Sequence, residues 1–183
     1  MYKLTGKAQR VKFLREAADV QRLHVIRTIG EYSNGQHSFN MLAMLRLLWP
    51  DAPVSLIWAI LEHDIPERVI GDVPSPALRN VYQESLADVA VEESAVMEEL
   101  FGELPTNVGF SKEEYLWLKG LDILELYLYA KDQFRLGNRN LETMRVAIED
   151  RFKRDAAKFP EPILELFYQC KGSDWDHLPD LGA

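Results

Sequence analysis

The sequence predicts an all-α protein, and two patterns carry that prediction. Leu, Ala, Glu, Met and Arg recur at spacings of three and four residues through most of the chain. Val, Ile and Thr do not gather into the alternating runs that are typical of strands. The chain has 183 residues, of which 47% are hydrophobic and 27% charged, as expected for one globular domain. We therefore expect a single helical domain over residues 1–183, with a loose tail from Gly172.

Prolines and capping residues set the expected ends of several helices. The first helix follows from periodicity alone. Pro50 cannot continue the second helix, whereas Pro53 suits the first turn of the third. Pro66 kinks or ends the third helix before a turn that is rich in Gly and Pro. The pattern from Ser111 to Glu114 is that of a capping box and opens a long helix. The expected helices span 8–23, 38–50, 54–64, 77–102, 111–136, 141–159 and 161–170.

Charge and cysteine content exclude several classes of function. The chain has 21 Lys and Arg against 29 Asp and Glu, a net charge of −8, so it has no overall basic field for polymeric nucleic acid. Cys170 is the only cysteine, which excludes an internal disulfide and favours a reducing compartment. No run of about 18 apolar residues and no signal-peptide core occur. We expect a cytoplasmic protein that acts on small molecules and binds no membrane.

Two of the four histidines lie where antiparallel helices could bring them together. His37 lies at the expected start of the second helix and His63 near the end of the third. Asp64 adds a carboxylate beside the second imidazole, and this mixture of ligands suits Mn²⁺, Fe²⁺, Co²⁺ or Zn²⁺. A histidine near a helix end can also be purely structural, so the pair alone predicts only a weak site.

A further carboxylate lies on an apolar stripe of the helix expected over 111–136. The stripe consists of Tyr115, Leu118, Asp122, Leu126 and Tyr129. Burying Asp122 without a partner would be costly, so a metal ion or a buried Arg or Lys is expected beside it. The spacing leaves the choice between these partners open.

Four short motifs follow one another along the chain: Gln36-His37-Ser38, Glu62-His63-Asp64, Gly71-Asp72-Val73-Pro74 and Leu121-Asp122. Their order resembles that of HD-domain metal-dependent phosphohydrolases, and more closely the bacterial 5'-deoxynucleotidases and the phage HD-domain dNTP (dATP) triphosphohydrolases. The resemblance covers about residues 22–130. It implies a helical HD domain, a nucleotide substrate and a homo-oligomer.

The same resemblance implies roles for individual residues. It assigns one divalent metal, with Mg²⁺ as a possible second ion, to His37, His63, Asp64 and Asp122. Glu67 matches the family's acid/base carboxylate, and Asp72 has a supporting catalytic role. A solvated helix end for Glu67 and a turn-stabilising role for Asp72 are the alternatives.

The substrate-binding candidates are cations and one histidine. The resemblance places Arg22 at the position of a phosphate-binding arginine. A guanidinium suits bidentate contact with phosphate, although Arg22 could also be an ordinary helix-end cation. His24 and Arg27 are auxiliary candidates, and Arg79 is a further one.

Three departures from the deoxynucleotidase pattern affect the substrate more than the metal. The glutamate that often precedes the first metal histidine is Gln36 here, a frequent lysine is replaced by Leu78, and a frequent aromatic residue by Leu23. The resemblance to the deoxynucleotidases implies hydrolysis of a dNMP to deoxynucleoside and phosphate. The alternatives are a dNTP triphosphohydrolase and a non-catalytic nucleotide-binding or structural HD protein.

Overall fold

The computed structural model describes residues 4–72, 86–102 and 110–172, and these ranges are mostly helical. The helices are α1 (Lys7–Ala18), α2 (Asn34–Leu48), α3 (Val54–Glu62), α4 (Glu67–Ile70), α5 (Leu86–Phe101), α6 (Lys112–Arg135), α7 (Glu142–Arg154) and α8 (Glu161–Lys171), with a 3-10 turn (Ala156–Lys158) before α8. Extended pairing within these ranges is limited to one bridge between Gln21 and Ser33. The all-α prediction is confirmed.

Helix α6 is the centre of the bundle. It packs against α2, α3, α7 and α8, and Leu121, Leu124 and Tyr127 on it are fully buried. The neighbouring helices contribute Met41, Leu56, Ile60, Phe152 and Phe167 to the same core. Burial of each such side chain stabilises the fold by about 1.5–3 kcal/mol. None of the described helices has the length and apolar character that crossing a membrane requires.

The apolar stripe predicted on this helix is only partly correct. Leu118 and Tyr129 are buried, but Tyr115 is 51% exposed. Burial extends around most of α6 beyond its first turns, because packed helices cover several of its faces. Periodicity therefore underestimated the buried surface of α6.

The end of α1 and the start of α2 differ from the expected positions, because the connection between these helices has a defined structure of its own. Helix α1 ends at Ala18 rather than near 23, since the chain turns there and pairs Gln21 with Ser33. Helix α2 begins at Asn34 rather than near Ser38, because the Ser33 hydroxyl accepts a hydrogen bond from the Gln36 amide (3.3 Å) and caps the helix.

Other boundaries lie closer to the predictions. The third helix ends at Glu62, and a turn leads to α4. The predicted break in the helix near Pro66 is therefore present. The helix expected over 141–159 ends at Arg154 and continues only as a 3-10 turn. The tail expected from Gly172 and the start of the helix expected over 77–102 lie largely outside the described residues.

The capping box at the start of α6 is confirmed. The Ser111 hydroxyl accepts a hydrogen bond from the Glu114 amide (3.1 Å), and the Glu114 carboxylate accepts one from the Ser111 amide (2.7 Å). The same carboxylate accepts a hydrogen bond from the Ser55 hydroxyl in the first turn of α3. These contacts join the starts of α3 and α6, two of the helices that carry the candidate site.

Gly120 marks a close approach between α6 and α8. A Cβ atom at this position would lie 2.7 Å from Ile163 Cδ1 and 3.5 Å from Phe159 Cδ1. Ile163 is fully buried, so its side chain has little room to move aside.

We expect Gly120→Leu to lower the free energy of unfolding by about 1–3 kcal/mol through overpacking, although Leu favours helices more than Gly does. Urea unfolding followed by circular dichroism measures the change. Lys153→Leu on the exposed side of α7 is the control and should shift stability by less than about 0.5 kcal/mol. A Gly120→Leu protein as stable as the unsubstituted one would contradict the close approach.

Candidate metal centre

His37 lies in the first turn of α2 and is completely buried. Its two ring nitrogens have different surroundings. The Nδ1 atom lies 2.5 Å from Glu125 Oε2. The Nε2 atom lies 3.3 Å from Asp122 Oδ1 and 3.9 Å from Asp64 Oδ2, and it makes no hydrogen bond with any described residue. Glu125 therefore holds Nδ1 in place, whereas Nε2 faces the two aspartates.

His63 presents the same arrangement from the end of α3. Its Nδ1 atom lies 2.9 Å from the carbonyl oxygen of Ile60, so Nδ1 donates a hydrogen bond. In the neutral ring this leaves a lone pair on Nε2, which lies 3.1 Å from Asp64 Oδ2. That Nε2 atom is also buried and without a hydrogen bond in the described part of the chain. Both imidazoles thus direct Nε2 toward Asp64, and the Nε2 atom of His37 lies closer still to Asp122.

The structure brings three of the four predicted ligands into one group. Donor atoms of His37, His63 and Asp64 all lie within 4.8 Å of one another. The fourth, Asp122 on α6, lies beside this group through its 3.3 Å contact with His37 and is not one of the three. Helix α2 supplies His37, the turn after α3 supplies His63 and Asp64, and α6 supplies Asp122.

The charges of these side chains favour the binding of a cation among them. Burial opposes ionisation of Asp64, but the neighbouring His63 and Arg22 lower its pKa to about 2. Burial also opposes charge on His37, yet the adjacent Asp122 and Glu125 carboxylates raise its pKa to about 9. Despite burial, His37 holds the pKa of Asp122 well below its usual range. Ionised carboxylates therefore surround the two imidazoles.

These residues fit a divalent transition metal. A buried polar atom without a partner costs about 1–3 kcal/mol, and the Nε2 atoms of His37 and His63 are two such atoms facing one carboxylate. Imidazole and carboxylate donors together suit Mn²⁺, Fe²⁺, Co²⁺ or Zn²⁺. Metal-binding histidines usually donate their other ring nitrogen to an oxygen, as both do here.

Arg22 lies at the edge of this group. It belongs to the connection between α1 and α2, where its Nη1 atom donates to the Asp64 carboxylate and to Asn34 Oδ1 (3.2 Å). Its Nη2 atom lies 3.8 Å from Asp122 Oδ1. Its Nε atom is buried and makes no hydrogen bond with a described residue. The predicted phosphate-binding arginine therefore lies next to the candidate metal ligands.

Asp72 contacts the chain segment that carries Arg22. Its Oδ2 atom accepts a hydrogen bond from the Leu23 amide (2.8 Å) and lies 3.7 Å from Nδ1 of His24. Leu23 has a φ of 56°, a left-handed conformation that is uncommon for a residue with a side chain. Asp72 thus stabilises the backbone that positions Arg22.

Glu67, the first residue of α4, is held near Asp64 by Asn34. The Asn34 side-chain amide donates to Glu67 Oε2 (2.8 Å) and to the backbone carbonyl of Asp64 (3.2 Å). Burial and the charge of Asp64 raise the pKa of Glu67 to about 8. A carboxyl group with this pKa can exchange a proton near neutral pH.

The remaining substrate-binding candidates do not reach the group. His24 is half-exposed beside Asp72. The side chain of Arg27 is exposed, and its backbone carbonyl accepts hydrogen bonds from Asn138 and Asn140. Arg79 lies outside the described residues.

Three residues at the site were missed by the sequence interpretation: Tyr32, Asn34 and Glu125. Glu125 follows Asp122 by three residues on α6 and is 3% exposed. A second carboxylate between Leu124 and Leu126 in an apolar helix was a signal that could have found it. Asn34 and Tyr32 carry no comparable signal, because neither is a polar residue within an apolar run.

The fold and the site define a class of helical proteins with a His/Asp centre for a divalent cation. The family model for the HD domain matches residues 18–163, which is most of the chain, and the protein therefore belongs to the HD-domain family. Members of this family are typically metal-dependent hydrolases. No curated protein matches the chain.

We expect Asp64→Asn to weaken divalent metal binding by at least about 100-fold, more than the loss of an outer hydrogen-bond partner costs. Competition with a chromophoric chelator for Co²⁺ or Zn²⁺ measures the dissociation constant. Asp150→Asn is the control, because Asp150 is an exposed carboxylate on α7 that pairs with Lys153, and it should keep the affinity of the unsubstituted protein. Equal affinities of the Asp64→Asn and unsubstituted proteins would exclude Asp64 as a ligand.

Proposed function

We propose that the protein is a metal-dependent phosphohydrolase of small deoxynucleotides, and that it releases deoxynucleoside and phosphate from a dNMP. The observation that carries the proposal is that two buried imidazole Nε2 atoms without hydrogen bonds face Asp64. Arg22 and Glu67 lie near the same aspartate. Metal ligands, an anion-binding cation and a proton-exchanging carboxyl group are the parts that hydrolysis of a phosphate ester requires.

The metal ligands we propose are His37, His63, Asp64 and Asp122. These residues would hold a divalent metal, which would supply Lewis-acid activation of the phosphoryl group and of the attacking water. The fixed Nδ1 contacts of both histidines hold the rings in place, so little rearrangement is needed when the ion binds.

Arg22 is proposed to bind the phosphate. Its guanidinium lies against Asp64 and near Asp122, and its buried Nε donor has no described partner. Phosphate oxygens can satisfy that donor together with an adjacent Nη, in the planar bidentate geometry that guanidinium groups favour. Asn34 and Asp72 keep the side chain and its backbone in this position.

Glu67 is proposed to move the proton. Because its pKa is raised to about 8, a substantial fraction is protonated at neutral pH. As water attacks phosphorus and the bond to the 5' oxygen breaks, the protonated carboxyl group donates its proton to that oxygen, and the deoxynucleoside leaves as an alcohol. The water oxygen stays on the phosphate, and one proton of that water restores the protonated carboxyl group. The Asn34 amide keeps the carboxyl group beside Asp64.

The direct test is product analysis. Metal-reconstituted protein is incubated with each dNMP and each dNTP separately, and the products are separated by anion-exchange chromatography. We expect deoxynucleoside and phosphate from dNMPs. Intact triphosphate released from dNTPs would instead identify a dNTP triphosphohydrolase with the same centre. Absence of turnover with Mn²⁺, Fe²⁺, Co²⁺ and Zn²⁺ would indicate a non-catalytic HD protein.

We expect Glu67→Gln to lower kcat by at least about 100-fold while the bound metal remains, because a positioned acid contributes about 10²–10⁴ in rate. Steady-state kinetics and metal analysis of the same sample give both readouts. Glu16→Gln is the control, because Glu16 is an exposed partner of the neighbouring Arg68 and should leave kcat unchanged. A fully active Glu67→Gln enzyme would exclude the acid role.

A further inference from the structure

We propose that Glu125 is a positioning residue of the metal centre, which holds His37 in the tautomer whose Nε2 can bind the ion. The inference rests on the metal centre in the proposed function and adds a residue to it. Glu125 lies on α6, three residues after Asp122 and on the opposite side of the imidazole from the candidate ligands.

The contact between Glu125 and His37 determines where the ring carries its proton. Glu125 Oε2 lies 2.5 Å from His37 Nδ1. The Tyr32 hydroxyl and the Asn40 amide both donate to this carboxyl group, which therefore acts as the acceptor, and Nδ1 is the donor toward it. In the neutral ring this leaves the lone pair on Nε2, the nitrogen that faces Asp64 and Asp122. The carboxylate therefore selects the tautomer that a metal requires.

Two further donors fix the orientation of the Glu125 carboxylate. The Asn40 side-chain amide donates to Oε1 (2.9 Å), and the Tyr32 hydroxyl donates to Oε2. The Tyr32 ring is itself stacked on Tyr129, with 3.8 Å between ring centroids and 10° between planes. Because both carboxylate oxygens are occupied, Glu125 has little freedom to turn away from His37.

His63 provides an internal reference, because a different group holds it. Its Nδ1 donates to the carbonyl of Ile60 in its own helix, without a side chain from elsewhere. His37 depends on a carboxylate from another helix. A change at Glu125 should therefore alter the state of one imidazole and leave that of the other unchanged.

A buried carboxylate needs hydrogen bonds in any case, so the contacts of Glu125 would also suit a purely structural residue. Glu125→Gln distinguishes the two roles, because it keeps size and removes the charge. In either orientation of the introduced side-chain amide, Nδ1 of His37 loses its carboxylate acceptor. Where the amide nitrogen faces Nδ1, it donates a hydrogen bond and the ring proton moves to Nε2, where it blocks metal binding.

The experiment measures zinc affinity and ring tautomers in the same protein. Competition with a chelator gives the dissociation constant for Zn²⁺, and nitrogen-15 NMR of histidine-labelled protein at saturating Zn²⁺ reports the protonated ring nitrogens. We expect Glu125→Gln to raise the dissociation constant by about 10–100-fold, the usual cost of losing such a partner. The Nδ1 proton signal of His37 should change, and that of His63 should remain.

Glu149→Gln is the matched control. Glu149 is another buried glutamate that accepts a hydrogen bond from a tyrosine, Tyr127 (3.3 Å), and its other partners are Arg145 and Lys171. Its substitution should lower Tm without changing zinc affinity or the histidine signals. A second variant, Tyr32→Phe, keeps the ring and removes the hydroxyl that donates to Glu125 and lies 3.2 Å from His37 Nδ1. It should weaken zinc binding by a smaller factor than Glu125→Gln, because the carboxylate remains.

Unchanged zinc affinity and an unchanged His37 signal in Glu125→Gln would overturn the positioning role. If that variant does not fold, unchanged values in Tyr32→Phe would overturn it instead. Zinc binding that depends on Glu125, in a protein that hydrolyses no nucleotide, would support this inference and contradict the proposed function alone. An unsubstituted protein that binds no divalent ion would overturn both.

Discussion

The site depends on two carboxylates that pack against the imidazole of His37: Asp122, which is partly buried, and Glu125, which is fully buried. Burying negative charge in a helical core is costly unless cations or hydrogen-bond donors compensate for it. Here the compensation comes from His37, Arg22 and neighbouring donors, so α2, α6 and the connection after α1 must meet at one place. The same arrangement leaves imidazole nitrogens directed at carboxylate oxygens, which is a suitable environment for a divalent ion.

The connection between α1 and α2 places Arg22, the proposed phosphate-binding residue, beside this charge cluster. Asp72 holds the unusual backbone of Leu23, and Asn34 contacts Arg22, Asp64 and Glu67. A single asparagine therefore contacts the proposed anion-binding cation, a proposed metal ligand and the proposed proton-exchanging carboxyl group. Preorganisation of this kind keeps reacting groups within the narrow geometric limits that catalysis requires.

The sequence predicted the helical class because apolar periodicity and capping are local properties. The capping box at Ser111 and the grouping of His37 with His63 followed from short motifs and their order. The end of α1 and the role of Glu125 did not, because both depend on contacts between residues far apart in the chain. Periodicity also reports one face of a helix, whereas neighbouring helices cover most of α6.

Anomalous X-ray scattering from crystals grown with Co²⁺ or Zn²⁺ tests the central claim most directly. The account predicts one strong peak at bonding distance from the Nε2 atoms of His37 and His63 and from the Asp64 carboxylate, with the Nδ1 atom of His37 still on Glu125. A strong peak elsewhere, with no density between the two imidazoles, would contradict it.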